Sequence, residues 1–151
     1  MSMTVAELLA DKAKQSPDTT LVTVGADTAV SQAIATMSEK AISSVMVMDK
    51  QHMQGLITLR EILAALNQQG GAIMQATCRE VMKANPPVAR LTDTVDHLRQ
   101  LMTELHITHV PVMHQGVVTG ILSFHDIARS AIKDATFENQ LLKQYIKNWP
   151  D

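Results

Sequence analysis

Two stretches, Gly55-Leu56-Ile57-Thr58-Leu59-Arg60-Glu61 and Gly120-Ile121-Leu122-Ser123-Phe124-His125-Asp126, each set a hydroxyl three residues before a carboxylate, directly after an apolar run. A strand feeding straight into a helix puts both groups in the first helical turn. There the unbonded N–H groups and a partial positive charge suit a phosphate. The hydroxyl adds a donor, and the carboxylate is placed to accept hydrogen bonds from a ribose. The same spacing is also the capping box, in which hydroxyl and acid satisfy their own helix end. The chain has that spacing again at Thr4/Glu7 and Thr77/Glu80. Thr58/Glu61 fits a cap well. Ser123/Asp126 fits it less well, because the box favours Glu or Gln and aspartate is one carbon shorter. Both readings stand at this point.

Other reactive groups are few. His106, His109 and His114 lie close in sequence, but His106 falls at a helix end and His109 at a strand start. They share no regular face, and no thiolate or carboxylate cluster completes a ligand set, so no metal is expected. Cys78, the single cysteine, opens a helix after Thr77, where a thiolate would be stabilised, yet no histidine is placed beside it. Neither disulfide nor zinc spacing can be built on it. Gly-x-Ser-x-Gly, Gly-x-Gly-x-x-Gly, Gly-x-x-x-x-Gly-Lys and His-Glu-x-x-His are all missing. Glu61 and Asp126 fall in separate copies of a repeat, so they cannot share one reacting bond. No catalytic residue is expected.

The elements that must position these groups come from a duplication. A shift of 65 places residues 27–62 on 92–127 without a gap, with nine identities among 36 positions. They include Val45/Val110, Val47/Val112, Met48/Met113, Gly55/Gly120 and Ile62/Ile127. Each copy reads as a short extended piece, a helix, two strands around a tight polar turn, and a second helix. The pieces are Leu21–Val24 and Val88–Ala89, the strands Val45–Met48 with Met53–Ile57 and Val110–Met113 with Val117–Leu122, and the closing helices Leu59–Leu66 and Phe124–Ile132. Two copies of β-α-β-β-α make an α+β protein whose units share a core. The reading divides the chain into an N-terminal helix (1–19), repeat 1 (20–67), a linker with a short helix (68–83), repeat 2 (84–133) and a C-terminal helix (134–151). Gln68-Gln69-Gly70-Gly71 reads as the flexible spacer between copies. The two terminal helices lie outside the repeat. Phe137, Leu141, Tyr145 and Trp149 recur every four residues, a stripe that docks on its own domain or on a second chain.

Composition narrows the function classes. The chain has 151 residues, a net charge of −2, 46% hydrophobic and 19% charged residues. These values fit one globular unit. The Lys and Arg residues are scattered and aromatics are only 3%, so neither a phosphate-backbone footprint nor base-stacking platforms predict nucleic-acid binding. No apolar run reaches the roughly 18 residues of a membrane span, and Met1-Ser2-Met3-Thr4 lacks a signal peptide's regions, so a cytoplasmic protein is expected. The ten methionines, at strand and helix spacing, read as adaptable core filler rather than a soft-metal site.

The duplicated β-α-β-β-α unit, the Ile-Thr-His-Val-Pro-Val run at 107–112 and the Gly-x-x-Ser-x-x-Asp end at 120–126 resemble a tandem pair of cystathionine β-synthase (CBS) domains, as in stand-alone bacterial CBS-pair proteins. The likeness covers about residues 20–132. It implies a pseudo-two-fold module with two clefts that bind adenosyl ligands such as AMP, ADP, ATP, NAD(H) or S-adenosylmethionine, and association into homodimers. In the cleft closed by repeat 2, it gives Ser123 the phosphate and Asp126 the ribose. The base pocket would be lined by Ile42, Ser43, Thr108, His109, Thr28, Ala33 and Ile121, with His109 near the phosphates and His125 beside the helix start. A second, weaker cleft would use Thr58 and Glu61. It departs from the family pattern, with Glu61 in place of aspartate and Met46 in place of the proline that Pro111 supplies. The implied function is a regulatory sensor that reports occupancy as a packing change. Replacing Ser123 and Asp126 by alanine is expected to abolish ligand stabilisation while sparing the ligand-free fold. The alternative is a ligand-free dimeric scaffold recruiting a protein target through its C-terminal helix.

Overall fold

The same strand register is built twice. In the computed structural model, which describes residues 3–15 and 21–147, β2 (Ser44–Asp49) pairs antiparallel with β3 (His52–Thr58). β6 (His109–His114) pairs likewise with β7 (Val117–Ser123). Ser44 faces Thr58 where His109 faces Ser123, and both hairpins carry an irregularity at one position, Val47/Met48 and Val112/Met113. Ahead of each lies a short parallel strand, β1 (Thr23–Gly25) or β5 (Ala89–Arg90). β4 (Lys83–Ala84) adds to the first sheet only, giving orders β1-β2-β3-β4 and β5-β6-β7. The helices follow suit: α2 (Val30–Lys40) and α5 (Val95–Leu105) precede the hairpins, α3 (Leu59–Gln69) and α6 (Phe124–Lys147) follow them. Both α2 and α5 end on a left-handed residue, Ala41 and His106, with φ of 53° and 55°.

The helix expected to stand outside the repeat belongs to it. α1 (Val5–Gln15) docks on the second unit, and α4 (Cys78–Val81) on the first, through matching backbone bonds. Val5 donates to the Asp93 carbonyl as Cys78 donates to that of Thr28, both at 2.8 Å. Val95 donates to Met3 as Val30 donates to Ala76, again at 2.8 Å. Each repeat is therefore completed by the segment that precedes the other. Sequence matching at one fixed shift misses this, because the leading segments are spaced differently from the hairpins.

Glycine makes that docking possible. A Cβ on Gly120 would stand 2.7 Å from Leu9 of α1, and one on Gly55 would stand 2.6 Å from the Lys83 carbonyl and 2.7 Å from Met82. Leu9 is a side chain that can turn aside; the Lys83 carbonyl is backbone and cannot. Gly55→Ala is expected to cost about 1–3 kcal/mol and Gly120→Ala distinctly less, measured by urea denaturation of each variant.

Two cores fill the repeats, one around Val30, Val45, Val47 and Ile57, the other around Val95, Val110, Val112 and Leu122. A third lies where the hairpins face each other: Met46, Leu56, Val118 and Ile121, flanked by Met48, Met53 and Met113. Each such side chain contributes about 1.5–3 kcal/mol on burial. Four methionines at one seam suit it to small shifts of packing, since thioether chains fill irregular gaps.

Two expectations are corrected. Gly70–Gln75 is a 3-10 helix rather than a flexible spacer, pinned because Ile73 is buried in the first core. The closing helix of repeat 2 and the C-terminal helix are one, α6, since no glycine or proline interrupts 124–147. Of the stripe, Trp149 lies outside the described residues, while Leu141 is exposed, as is its neighbour Leu142.

Candidate functional site

Two cavities of about 450 Å³ open between the repeats, within the range of small-molecule sites. One contains Asp126 and the other Glu61. The Asp126 cleft gathers Ile42, Ser43, His109, Ile121, Ser123 and His125. Thr58, Glu61 and Thr108 line the Glu61 cleft. Thr28 and Ala33 border neither cavity. Ala33 lies on the inward face of α2 in the first core, and Thr28 is tied by its carbonyl to α4.

Asp126 caps its helix after all. Its Oδ2 accepts from the Ser123 amide at 2.8 Å, and its own amide donates to Ser123 Oγ at 3.1 Å. The carboxylate does more than cap. Lys12 Nζ approaches Oδ2 to 2.9 Å and also donates to the Ile121 carbonyl at 2.8 Å. Arg129 donates to Oδ1 at 3.0 Å. Asp126 is 4% exposed and Lys12 9%. Burial acts to raise the Asp126 carboxyl, yet the hydrogen bonds from Lys12 and the Ser123 amide, with the Lys12 charge, outweigh it and hold the group below its ordinary range. Two carboxylate oxygens offer about four acceptor positions, and these contacts use three.

The helix start is largely closed as an amide cradle, three of its N–H groups being bonded. The Ser123 amide goes to Asp126, that of Phe124 to the Thr108 carbonyl at 2.7 Å, and that of Asp126 to Ser123. Anion recognition in this cleft therefore falls mainly to side chains. Ser123 Oγ accepts from the Asp126 amide, which leaves its hydroxyl proton to donate outward. Arg129 carries five N–H donors, and its side chain is 40% exposed at the cavity. The other cleft differs. Thr58 donates its hydroxyl proton to Glu61 Oε1 at 2.6 Å, and the Thr58 amide donates to the same oxygen at 2.8 Å, closing a full capping box. Its cations, Arg60 and Lys83, stand exposed at the mouth.

Sequence reasoning missed Lys12 and Arg129. Arg129 carried a signal, being one helical turn from Asp126. Lys12 carried none, because α1 reaches the site only by crossing to the second repeat. Apolar walls from Leu21, Val22 and Met46 were missed as well.

His109 stands between the clefts. Its Nε2 lies 3.0 Å from Ser43 Oγ and its Nδ1 2.8 Å from Thr108 Oγ1. Burial, then the Lys12 charge, pushes its pKa down from 6.5 to about 4, against opposing pulls from Asp126 and Glu61. A neutral imidazole so weakly basic, with no carboxylate bonded to it, is a poor activator of Ser43. Cys78 is fully buried and its thiol pKa is raised by desolvation. Among the described residues no three His, Cys, Asp or Glu side chains gather as a metal site, and no helix is long and apolar enough to cross a membrane.

Comparison with known proteins agrees with this architecture. The CBS-domain protein CBSX3, mitochondrial, of Arabidopsis thaliana is 26% identical over 151 residues, covering 97% of this chain and 73% of the relative. The CBS-domain protein ATU1752 from Agrobacterium tumefaciens superposes with a TM-score of 0.78 at 30% identity, over 87% of this chain and 95% of that one. The CBS domain pair of protein MJ0100, solved with 5′-methylthioadenosine and S-adenosyl-L-methionine, superposes with a TM-score of 0.66 at 26% identity, over 74% and 92%. The CBS domain model matches residues 13–68 and again 78–133, one match for each hairpin unit, and the chain belongs to the CBS domain family as a tandem pair.

Proposed function

We propose that this CBS pair is a non-catalytic sensor that binds a phosphorylated adenosine ligand in the Asp126 cleft and transmits occupancy as a change in packing between the repeats. The observation that carries the reading is one cavity of about 450 Å³ in which Asp126, Lys12, Arg129 and the Ser123 hydroxyl meet beside apolar walls. The adenosyl ligands of the MJ0100 pair support the nucleoside part. The charges select within that class. Lys12 and Arg129 beside one carboxylate favour AMP, ADP, ATP or NAD(H) over a sulfonium such as S-adenosylmethionine. Ligand contact with Ile42 and Ser43 on one side and Ile121 and Ser123 on the other touches both repeats across the methionine seam. It shifts their packing only as far as it prefers one arrangement.

A thermal-shift panel of AMP, ADP, ATP, NADH and S-adenosylmethionine tests this. At a hundredfold excess over Kd, binding adds about 2.7 kcal/mol, a rise in Tm on the order of 5–10 °C for a chain of this size. Leu21→Glu, at a partly exposed wall residue, places a carboxylate against the phosphates and is expected to abolish the rise without altering the ligand-free melt. No response to any of the five at millimolar concentration would overturn the reading. That result would favour the second one, a dimeric scaffold. Its support is an uncovered stripe on α3, where Leu59, Leu63 and Leu66 are 61%, 67% and 48% exposed.

A further inference from the structure

Ser43, His109, Ser123 and His125 border both cavities, so the wall between the clefts is a single layer of side chains. Three groups in that wall form a hydrogen-bonded chain. Thr108 Oγ1 lies 2.8 Å from His109 Nδ1, and His109 Nε2 lies 3.0 Å from Ser43 Oγ. The duplication pairs Ser43 with Thr108 and Ser44 with His109, so only the second copy supplies a ring at this place. The arrangement is thus a departure from the pseudo-symmetry, built from an otherwise equivalent pair of hydroxyls.

A neutral imidazole has one N–H and one lone pair, and each must meet its partner in the matching sense. When Nε2 holds the proton, it donates to Ser43, and Nδ1 accepts from Thr108. Ser43 then turns its own O–H outward, while Thr108 offers only lone pairs. When Nδ1 holds the proton, it donates to Thr108, and Nε2 accepts from Ser43. Thr108 is then the outward donor and Ser43 the acceptor. The two hydroxyls never turn donors outward together while both bonds hold. Ser43 faces both cavities and Thr108 faces the Glu61 cleft.

We infer that Thr108, His109 and Ser43 form a proton relay that gives the two clefts linked hydrogen-bonding characters, so that a ligand held by Ser43 in the Asp126 cleft sets what the Glu61 cleft can recognise at Thr108. A ligand acceptor at Ser43 fixes the proton on Nε2 and makes Thr108 an acceptor. The second cleft then prefers a ligand presenting an amino or hydroxyl donor there, and discriminates against a second copy of an acceptor. The low basicity of His109 keeps the ring in its one-proton form across the neutral range. The ligand side of this inference rests on the nucleotide reading above; the relay itself does not.

The test is 15N NMR of the histidine side chains, which separates protonated from unprotonated ring nitrogens, on the full chain. Thr108→Val removes the partner of Nδ1. An unpartnered N–H costs more than an unpartnered lone pair, so the proton moves to Nε2. Ser43→Ala removes the partner of Nε2 and sends the proton to Nδ1. The two variants are expected to bias His109 in opposite directions, more strongly in Ser43→Ala, whose bond is part-buried, than in Thr108→Val, whose Nδ1 side is open to solvent. ADP is expected to shift the wild-type ratio and to leave both variants' ratios in place. Equal ratios in the two variants overturn the relay, as does a wild-type ratio that ADP leaves unchanged while raising Tm. Opposite ratios in the variants with no Tm response to any of the five ligands of the panel uphold the relay and refute the nucleotide reading instead.

Discussion

Asp126→Ala is expected to destabilise the ligand-free protein by about 3–5 kcal/mol, the range for removing one partner of a buried ion pair. The reason is Lys12. Its side chain is 10% exposed, and with Asp126 gone its ammonium keeps only the Ile121 carbonyl. The cap on the Ser123 amide is lost in the same stroke. Asp126→Asn keeps the size and an acceptor for that amide, so its loss is smaller. Lys12→Met combined with Asp126→Asn removes both charges and is expected to recover most of the stability, since a buried pair replaced together is often near neutral. Urea denaturation of the four proteins checks the order. If Asp126→Ala matches wild type within 1 kcal/mol, the pair is not holding α1 to the second repeat. The expectation that a Ser123/Asp126 double alanine variant leaves the ligand-free fold untouched is therefore withdrawn, and Leu21→Glu is the cleaner probe of binding.

This pair also marks the boundary of what the residues disclosed unaided. The hairpins were legible because apolar alternation and a repeated Gly-x-x-hydroxyl-x-x-acid end leave a pattern at one constant spacing, and the two clefts were implied by the likeness to CBS pairs. The docking of α1 left none. It depends on backbone bonds from Val5 and Ala6 to Asp93 and Leu91, which any residue other than proline in those places could donate. Lys12 follows α1 into the site, so the cation nearest Asp126 was invisible. Ala33 fell the other way: its apolar spacing with Val30 and Met37 already marked it for the core, where it lies with Val45 and Val47, and only the likeness to CBS pairs put it in the base pocket. For Asp126 the sequence left cap and ligand readings both open, and chemistry rather than pattern set the balance. A preference for longer acids in capping boxes is a tendency, and one well-placed serine overrides it.

Lowering the pH from about 6.5 to about 4 is expected to remove up to about 3 kcal/mol of stability through His109 alone. The imidazole binds its proton at about 4 in the folded chain and at 6.5 as a model group, so between those values the unfolded state holds more protons than the folded one. Stability then rises with pH across the window and is lost as pH falls through it. Below that, a second loss begins as pH drops through the depressed Asp126 value, where protonation breaks the Lys12 pair. His109→Gln keeps groups able to bond Ser43 and Thr108 but does not titrate. Subtracting its pH–stability curve from that of wild type isolates the ring. The difference should climb between pH 4 and 6.5 and be flat above 7. A difference that is flat from pH 4 to 7 would mean the ring sits in water rather than in the wall between the clefts. The relay would then lose the half-buried Nε2–Ser43 bond that fixes which ring nitrogen holds the proton.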